Sequence, residues 1–489
     1  MQVTRQKPIV TTLKPSNHPY LNGAWTPLYE EVDAIDLEVI EGAIPADLDG
    51  VYLRNTENQI HDPIGRYHPF DGDGMLHRID FQNGKANYSN RFVRTRCFQA
   101  EQEAKGSLWA GLMERAEFSK RPGFGAHGSL KDSASTDVIV HGGKALATFY
   151  QCGEAYMVDP ETLETIGSAP WGPLDGVSAH PKVDERTGEL LFFNYSKHAP
   201  YMHYGVVDAS NKLTHYRPVP LPGPRLPHDM AFTENFVILN DFPLFWDAAM
   251  LERNAHIVRM HKLPSRFAIV PRRGDGEIRW FEAAPTFVLH WTNAYEDGDE
   301  IVLDGYFQSN PEPGKFPGAP EGYEHMMGHL DEHSFQSRLH RWRFNLKTGE
   351  TKEENLDPRI LEFGTINNRY AGRKYRYAYS TTSKPGWFLF TGFVKHDLET
   401  GTSGSFELGD GVYGSEAPFA PRLNAKDEDD GYLVSFTIDE LRGKSECVIL
   451  DAKRIADGPV ARIALPHKIC SGTHACWASR EFLREGKVA

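Results

Sequence analysis

The sequence predicts an all-β protein of the propeller class, and three observations carry that prediction. Between about Val51 and Ile463 one phrase recurs: a short β-rich run, a turn built on Asp or Asn with Gly, and a second run. No linker or composition shift divides the 489 residues, so the many hairpins belong to one unit, a propeller or a large sandwich. Four histidines in distinctive contexts, His180, His228, His290 and His474, are scattered along that unit. The innermost strands of successive blades converge on one axis, so a propeller gathers such distant residues more readily than a sandwich does.

In chain order, residues 1–25 read as an N-terminal extension to a single domain spanning residues 1–489. Hairpin turns follow at Asp80 to Gly84, Asp159 to Leu163, Asp184 to Gly188, Asn345 to Gly349 and Asp397 to Gly401. In each, an Asp or Asn side chain can cap its own turn, and in four of the five a Gly can take positive φ. Helical patterning is confined to Phe98 to Lys120, Asp247 to His256 and Gly322 to His340. These read as insertions near 98–130, 240–256 and 310–340 that roof a cavity over the axis, with an apolar lining from residues such as Trp109, Leu112 and Phe245.

With 40% hydrophobic and 12% aromatic residues the chain can bury a large core. A net charge of -14 and the lack of Lys/Arg clusters exclude a nucleic-acid surface. Five cysteines without a CxxC pair give neither a zinc ribbon nor a disulfide framework. No apolar leader and no run near the roughly 18 apolar residues of a spanning helix is found. The expectation is a cytoplasmic protein, attached at most to one leaflet of a membrane.

The histidines sit in Val177-Ser178-Ala179-His180-Pro181, Leu226-Pro227-His228-Asp229-Met230, Val288-Leu289-His290-Trp291 and Ser471-Gly472-Thr473-His474-Ala475. Neutral imidazole is the commonest ligand for a borderline transition metal, and four of them leave two positions free on an octahedral ion, which points to iron. A ligating imidazole needs its second nitrogen held by an acceptor. Glu362, in Ile360-Leu361-Glu362-Phe363, and Glu416, in Gly414-Ser415-Glu416-Ala417-Pro418, stand in apolar or turn contexts that suit this task. The rival cluster, His325, His329 and His333, has the spacing of one helix face but lacks the catalytic Glu of a zincin motif, so a solvated face is expected there.

These residues resemble the carotenoid cleavage oxygenases, a family that includes apocarotenoid-, stilbene- and phenylpropanoid-cleaving enzymes. The matching pieces span nearly the whole chain. They include Gly50-Val51-Tyr52-Leu53-Arg54-Asn55, Phe70-Asp71-Gly72-Asp73-Gly74, His141-Gly142-Gly143-Lys144, the four histidine contexts and Glu416-Ala417-Pro418-Phe419. The resemblance implies a seven-bladed propeller, with helical and loop insertions forming a dome over an axial Fe(2+) ion held by His180, His228, His290 and His474. It implies cleavage of a conjugated C=C bond by dioxygen to two carbonyl products, with Glu362 and Glu416 behind the ligands and Thr136 facing a vacant coordination position. Where the family has a third glutamate, this chain has Gln151, which can accept a hydrogen bond but brings no charge. The phenol-gripping Lys of the stilbene- and isoeugenol-cleaving members is replaced by Tyr150.

The expected substrate is therefore an apolar apocarotenoid or carotenoid, contacted by Phe98, Tyr150, Trp291 and Phe307. Stilbene or phenylpropene cleavage is the alternative, and a non-catalytic ligand-binding propeller is a further one. A peripheral membrane contact for substrate uptake is expected, and the oligomeric state is left open.

Overall fold

The computed structural model describes the chain except residues 123–130, 174, 252–256 and 487–489, and the side chains of 248 and 251. Seven antiparallel sheets form the blades of a propeller, with one further two-stranded hairpin beside them. The turn expectations hold. Asp159 Oδ1 accepts from the N–H groups of Glu161 and Thr162, and Asn345 Oδ1 from those of Lys347 and Thr348. Gly349 and Gly401 take φ of 77° and 68°, where a side chain would strain the turn.

The ring closes twice. Ala475–Ser479, near the C-terminus, pairs with Gly50–Asn58 in the first blade, placing Ala475 opposite Arg54. Val39–Gly42, near the N-terminus, pairs with Pro459–Ala464 in the last blade. Each closure joins residues from opposite ends of the chain by backbone hydrogen bonds, so the ring cannot open without breaking a sheet. Residues 1–25 are bound to the ring: Gln2–Arg5 adds an edge strand to the first blade, and Tyr20 and Trp25 are buried in the largest apolar core.

The helical expectations were too long. The first segment holds one helix, Arg96–Ala104, capped by the Thr95 hydroxyl, and a 3-10 turn at Ala116–Phe118. The second is a hairpin, Leu244–Trp246 with Val258–Met260, carrying one helical turn at Ala248–Leu251. The rest of those two insertions, 123–130 and 252–256, lies outside the described residues. The third has two turns, Glu324–Gly328 and Glu332–Phe335, and its end belongs to the strand Ser337–Asn345. There Leu339 and His340 pair with Tyr306 and Gly305, so cross-strand pairing overrides the local helical pattern.

Candidate metal centre

Seven residues, one from each blade, ring the axis at the start of the innermost strands. His474 immediately precedes Ala475–Ser479 in the first blade, and Asp137 opens Asp137–His141 in the second. His180 precedes Lys182–Asp184, His228 precedes Ala231–Phe232 and His290 precedes Trp291–Asp297 in the third to fifth. Glu362 lies in Leu361–Thr365 of the sixth, and Glu416 precedes Phe419–Pro421 of the seventh.

Three carboxylates each take the Nδ1 side of one imidazole. Asp137 Oδ2 lies 2.9 Å from His180 Nδ1, Glu362 Oε2 2.7 Å from His290 Nδ1, and Glu416 Oε2 3.2 Å from His474 Nδ1. Backbone donors fix the acids in turn: Phe363 N–H to Glu362, Ala475 N–H to Glu416 and Val138 N–H to Asp137. With Nδ1 donating, each Nε2 carries a lone pair, and these point at one another. The three histidines offer ring nitrogens within 4.8 Å of each other, and His290 Nε2 is buried without a hydrogen-bond partner. His180 Nε2 and His228 Nε2 are 3.2 Å apart. Converging buried lone pairs with no donor between them suit a cation, so the donor set fits a metal.

The electrostatics agree. Burial pushes the His180 and His290 imidazoles well below their usual range and His228 down to about 3, so all three rings are neutral, the form that can ligate a metal. For His474, burial pulls the same way, but the carboxylates around it, Glu416 first and then Asp137 and Asp229, together raise the imidazole. Burial raises Asp137 to about 6 and Glu362 well above the usual carboxylate range.

Backbone strain marks the same place. His180 has φ of 62° and Phe363 φ of 52°, a conformation that costs non-glycine residues about 1–3 kcal/mol. The turn at Phe363 lays its ring on His290, with centroids 4.7 Å apart, and near His474 at 5.0 Å. Phe388 and Phe390 pack on Phe363, Phe70 on Phe388, and Tyr150 on Phe70, bringing the Tyr150 ring to 6.3 Å from His228. This aromatic arc runs from one side of the histidine cluster to the other. A separate cavity of about 180 Å³ continues along the inner strands and is lined by Asp137, His180, Lys182, Asp229, His290 and His474 among others.

The structure thus brings His180, His228, His290, His474, Glu362 and Glu416 together. His228 stands outside the closest trio, and among the described residues no carboxylate hydrogen-bonds it. Gln151 is buried but makes no hydrogen bond to His228; it acts on the Tyr150 hydroxyl instead. Thr136 Oγ1 accepts from Tyr150 N–H, and its carbonyl accepts from the hydroxyl of Thr473, next to His474. Trp291 lines the axial cavity, its backbone N–H donating to Asp229 Oδ2.

Phe98 does not reach the site. It stacks on Phe92 in a cluster with Ile60 and Met75, because the helix it opens packs against the first blade. Phe307 is likewise turned away, its ring lying by His340 and Trp342 in the core between blades. The His325 trio does not converge: His329 Nδ1 contacts the His325 carbonyl and His333 Nε2 the Ser383 carbonyl.

Sequence reasoning missed Asp137, Asp229 and Phe363. Each directly follows a residue it had singled out, and a carboxylate or ring next to such a residue at a strand start was the available signal.

Residues 25–479 match the family model described as retinal pigment epithelial membrane protein. The chain belongs to this family, the carotenoid cleavage oxygenases. Among curated relatives of this oxygenase, carotenoid 9,10(9',10')-cleavage dioxygenase 1 of Pisum sativum is 34% identical, over 96% of the chain and 91% of the relative. Isoeugenol monooxygenase of Pseudomonas putida is 33% identical over 95% and 98%. Among solved structures, the lignostilbene dioxygenase of Pseudomonas brassicacearum aligns with a TM-score of 0.83 at 28% identity, covering 96% of the oxygenase chain and all of that one. No helix among the described residues is long and apolar enough to cross a membrane.

Proposed function

We propose that the chain is a non-heme Fe(II) dioxygenase that cleaves a conjugated C=C bond of an apolar apocarotenoid or carotenoid to two carbonyl products. The observation that carries this reading is the convergence of buried imidazole lone pairs beneath an aromatic arc. His180, His228, His290 and His474 would hold the iron, which when bound supplies activation of dioxygen.

The protein's own groups do the rest. Asp137, Glu362 and Glu416 fix tautomer and ring orientation, so the Nε2 atoms face inward before any metal arrives. Phe363 packs against His290 and His474 and walls the cluster on the side of the aromatic arc. The flat rings of Phe70, Tyr150 and Phe388 suit a flat polyene, which they can position by stacking and burial. Thr136, pinned beside Tyr150 and Thr473, is the residue placed to narrow access beside His474. A peripheral membrane contact would serve the uptake of so apolar a substrate.

Cleavage of a stilbene or phenylpropene is the second reading, favoured by the similarity to the lignostilbene and isoeugenol enzymes. Tyr150 favours the first reading. A buried Lys at that position would favour a phenolate and push electrons into the alkene, a role that a neutral phenol side chain cannot fill. Burial raises the Tyr150 hydroxyl further, keeping it neutral. The test compares kcat/KM for an apocarotenal, a 4-hydroxystilbene and its 4-methoxy analogue, with products identified by mass spectrometry. The apocarotenal should be preferred and the free hydroxyl should not be required. A clear preference for the hydroxystilbene, lost on methylation, would assign the stilbene reaction instead.

A further inference from the structure

Around the axis the seven positions run, from the first blade to the seventh, His, Asp, His, His, His, Glu, Glu. Each carboxylate can reach only the imidazoles of adjacent blades, and the pairing is then forced. Glu416, in the seventh blade, takes His474 in the first. Glu362, in the sixth, takes His290 in the fifth. Asp137, in the second, lies between His474, already engaged by Glu416, and His180, and it takes His180. His228, in the fourth blade, has a histidine on either side and receives no carboxylate from the ring.

We infer that Asp137 is a positioning residue for iron, holding His180 and supplying the third carboxylate of the site, so that the site reaches this charge without position 151. The contact geometry is that of a built pair. Asp137 Oδ2 faces the ring nitrogen, Oδ1 is anchored by Val138 N–H, and both side chains are nearly closed to solvent. The left-handed backbone at His180 turns the imidazole inward, and this contact secures the ring once it is there. Three carboxylates balance a doubly charged ion with one negative charge to spare, whereas two would leave the centre neutral. The inference rests on the proposed four-histidine iron site.

The test uses Co(II) as the probe, titrated into metal-free full-length protein and followed by its visible d–d absorption. Asp137→Asn keeps the shape but removes the charge, and it should weaken Co(II) binding about 10- to 100-fold and shift the absorption bands. The metal-free variant should melt close to wild type. Asp137→Glu, which restores the charge with a longer reach, should recover part of the affinity that Asp137→Asn loses. In a His180→Ala background the same Asp137→Asn change should have little further effect, because its action passes through that imidazole. If Asp137→Asn folds poorly, the Asp137→Ser and Asp137→Glu variants carry the same comparison. Wild-type affinity and an unshifted spectrum in Asp137→Asn, or an undiminished effect in the His180→Ala background, would overturn the inference. Failure of wild-type protein to bind Co(II) through the four histidines would instead overturn the iron-site reading.

Discussion

Replacing Glu362 by Gln turns one oxygen of a buried carboxylate into an NH2 group and removes its charge, and the structure sets the size of the effect. Oε2 accepts from His290 Nδ1 at 2.7 Å and from Phe363 N–H at 2.6 Å, while Oε1 is buried without a partner. The amide oxygen must take the Oε2 position to keep both bonds, which places the NH2 where nothing accepts from it. Hydrogen bonds to charged groups contribute about 1 kcal/mol more than neutral ones, and a buried unsatisfied donor costs about another 1–3 kcal/mol. In the metal-free protein, burial already favours the neutral acid at Glu362, so much of the charge loss falls on the metal-bound form. The stranded NH2 costs the metal-free and metal-bound forms alike and so lowers stability, while the charge-linked part, about 1 kcal/mol, lowers metal affinity roughly fivefold. An anaerobic Fe(II) titration against a competing chelator should show that weakening. A dissociation constant within about twofold of wild type, in a variant that stays folded, would refute the reasoning.

Changing His325, His329 and His333 together to Ala should leave iron content near wild type, because His329 and His333 each turn a ring nitrogen to a separate backbone carbonyl rather than to a common point; a large loss of iron would place the metal at that trio instead. Glu332 is buried with neither carboxylate oxygen partnered, and burial, aided by Asp331, raises it to about 8. A raised carboxyl contributes stability that is fully present below its usual value near 4.5 and lost as pH rises through about 8. Glu332→Gln should therefore melt higher relative to wild type at pH 9 than at pH 5, and a melting difference independent of pH would contradict this.

Much of the fold was legible because turns are local. The Asp or Asn caps, with a following Gly in four of the five turns, fix the hairpins within a few residues, and a chain of hairpins without a break leaves few architectures. The helices were less legible. In Gly322 to His340 the helical spacing of three histidines is real, but the last residues pair across a sheet with partners more than 30 positions away, which no local window contains. The four candidate ligands were legible because Pro, Asp, Trp or Thr beside a histidine at a strand start is unusual company. Phe98 and Phe307 failed as substrate contacts because aromatic type says nothing of which way a ring faces. Asp137 was not legible as a site residue because its partner His180 lies 43 positions away, and no local pattern shows that the two meet.

Iron content of the purified protein and of its four single variants, His180→Ala, His228→Ala, His290→Ala and His474→Ala, measured beside cleavage of an apocarotenal, tests the central claim most directly. Wild type should hold about one iron per chain. Each variant should lose both metal and activity, since each removes one neutral ligand from a site with four. Unchanged iron in two of the four variants, or full cleavage by the iron-free protein, would contradict the account.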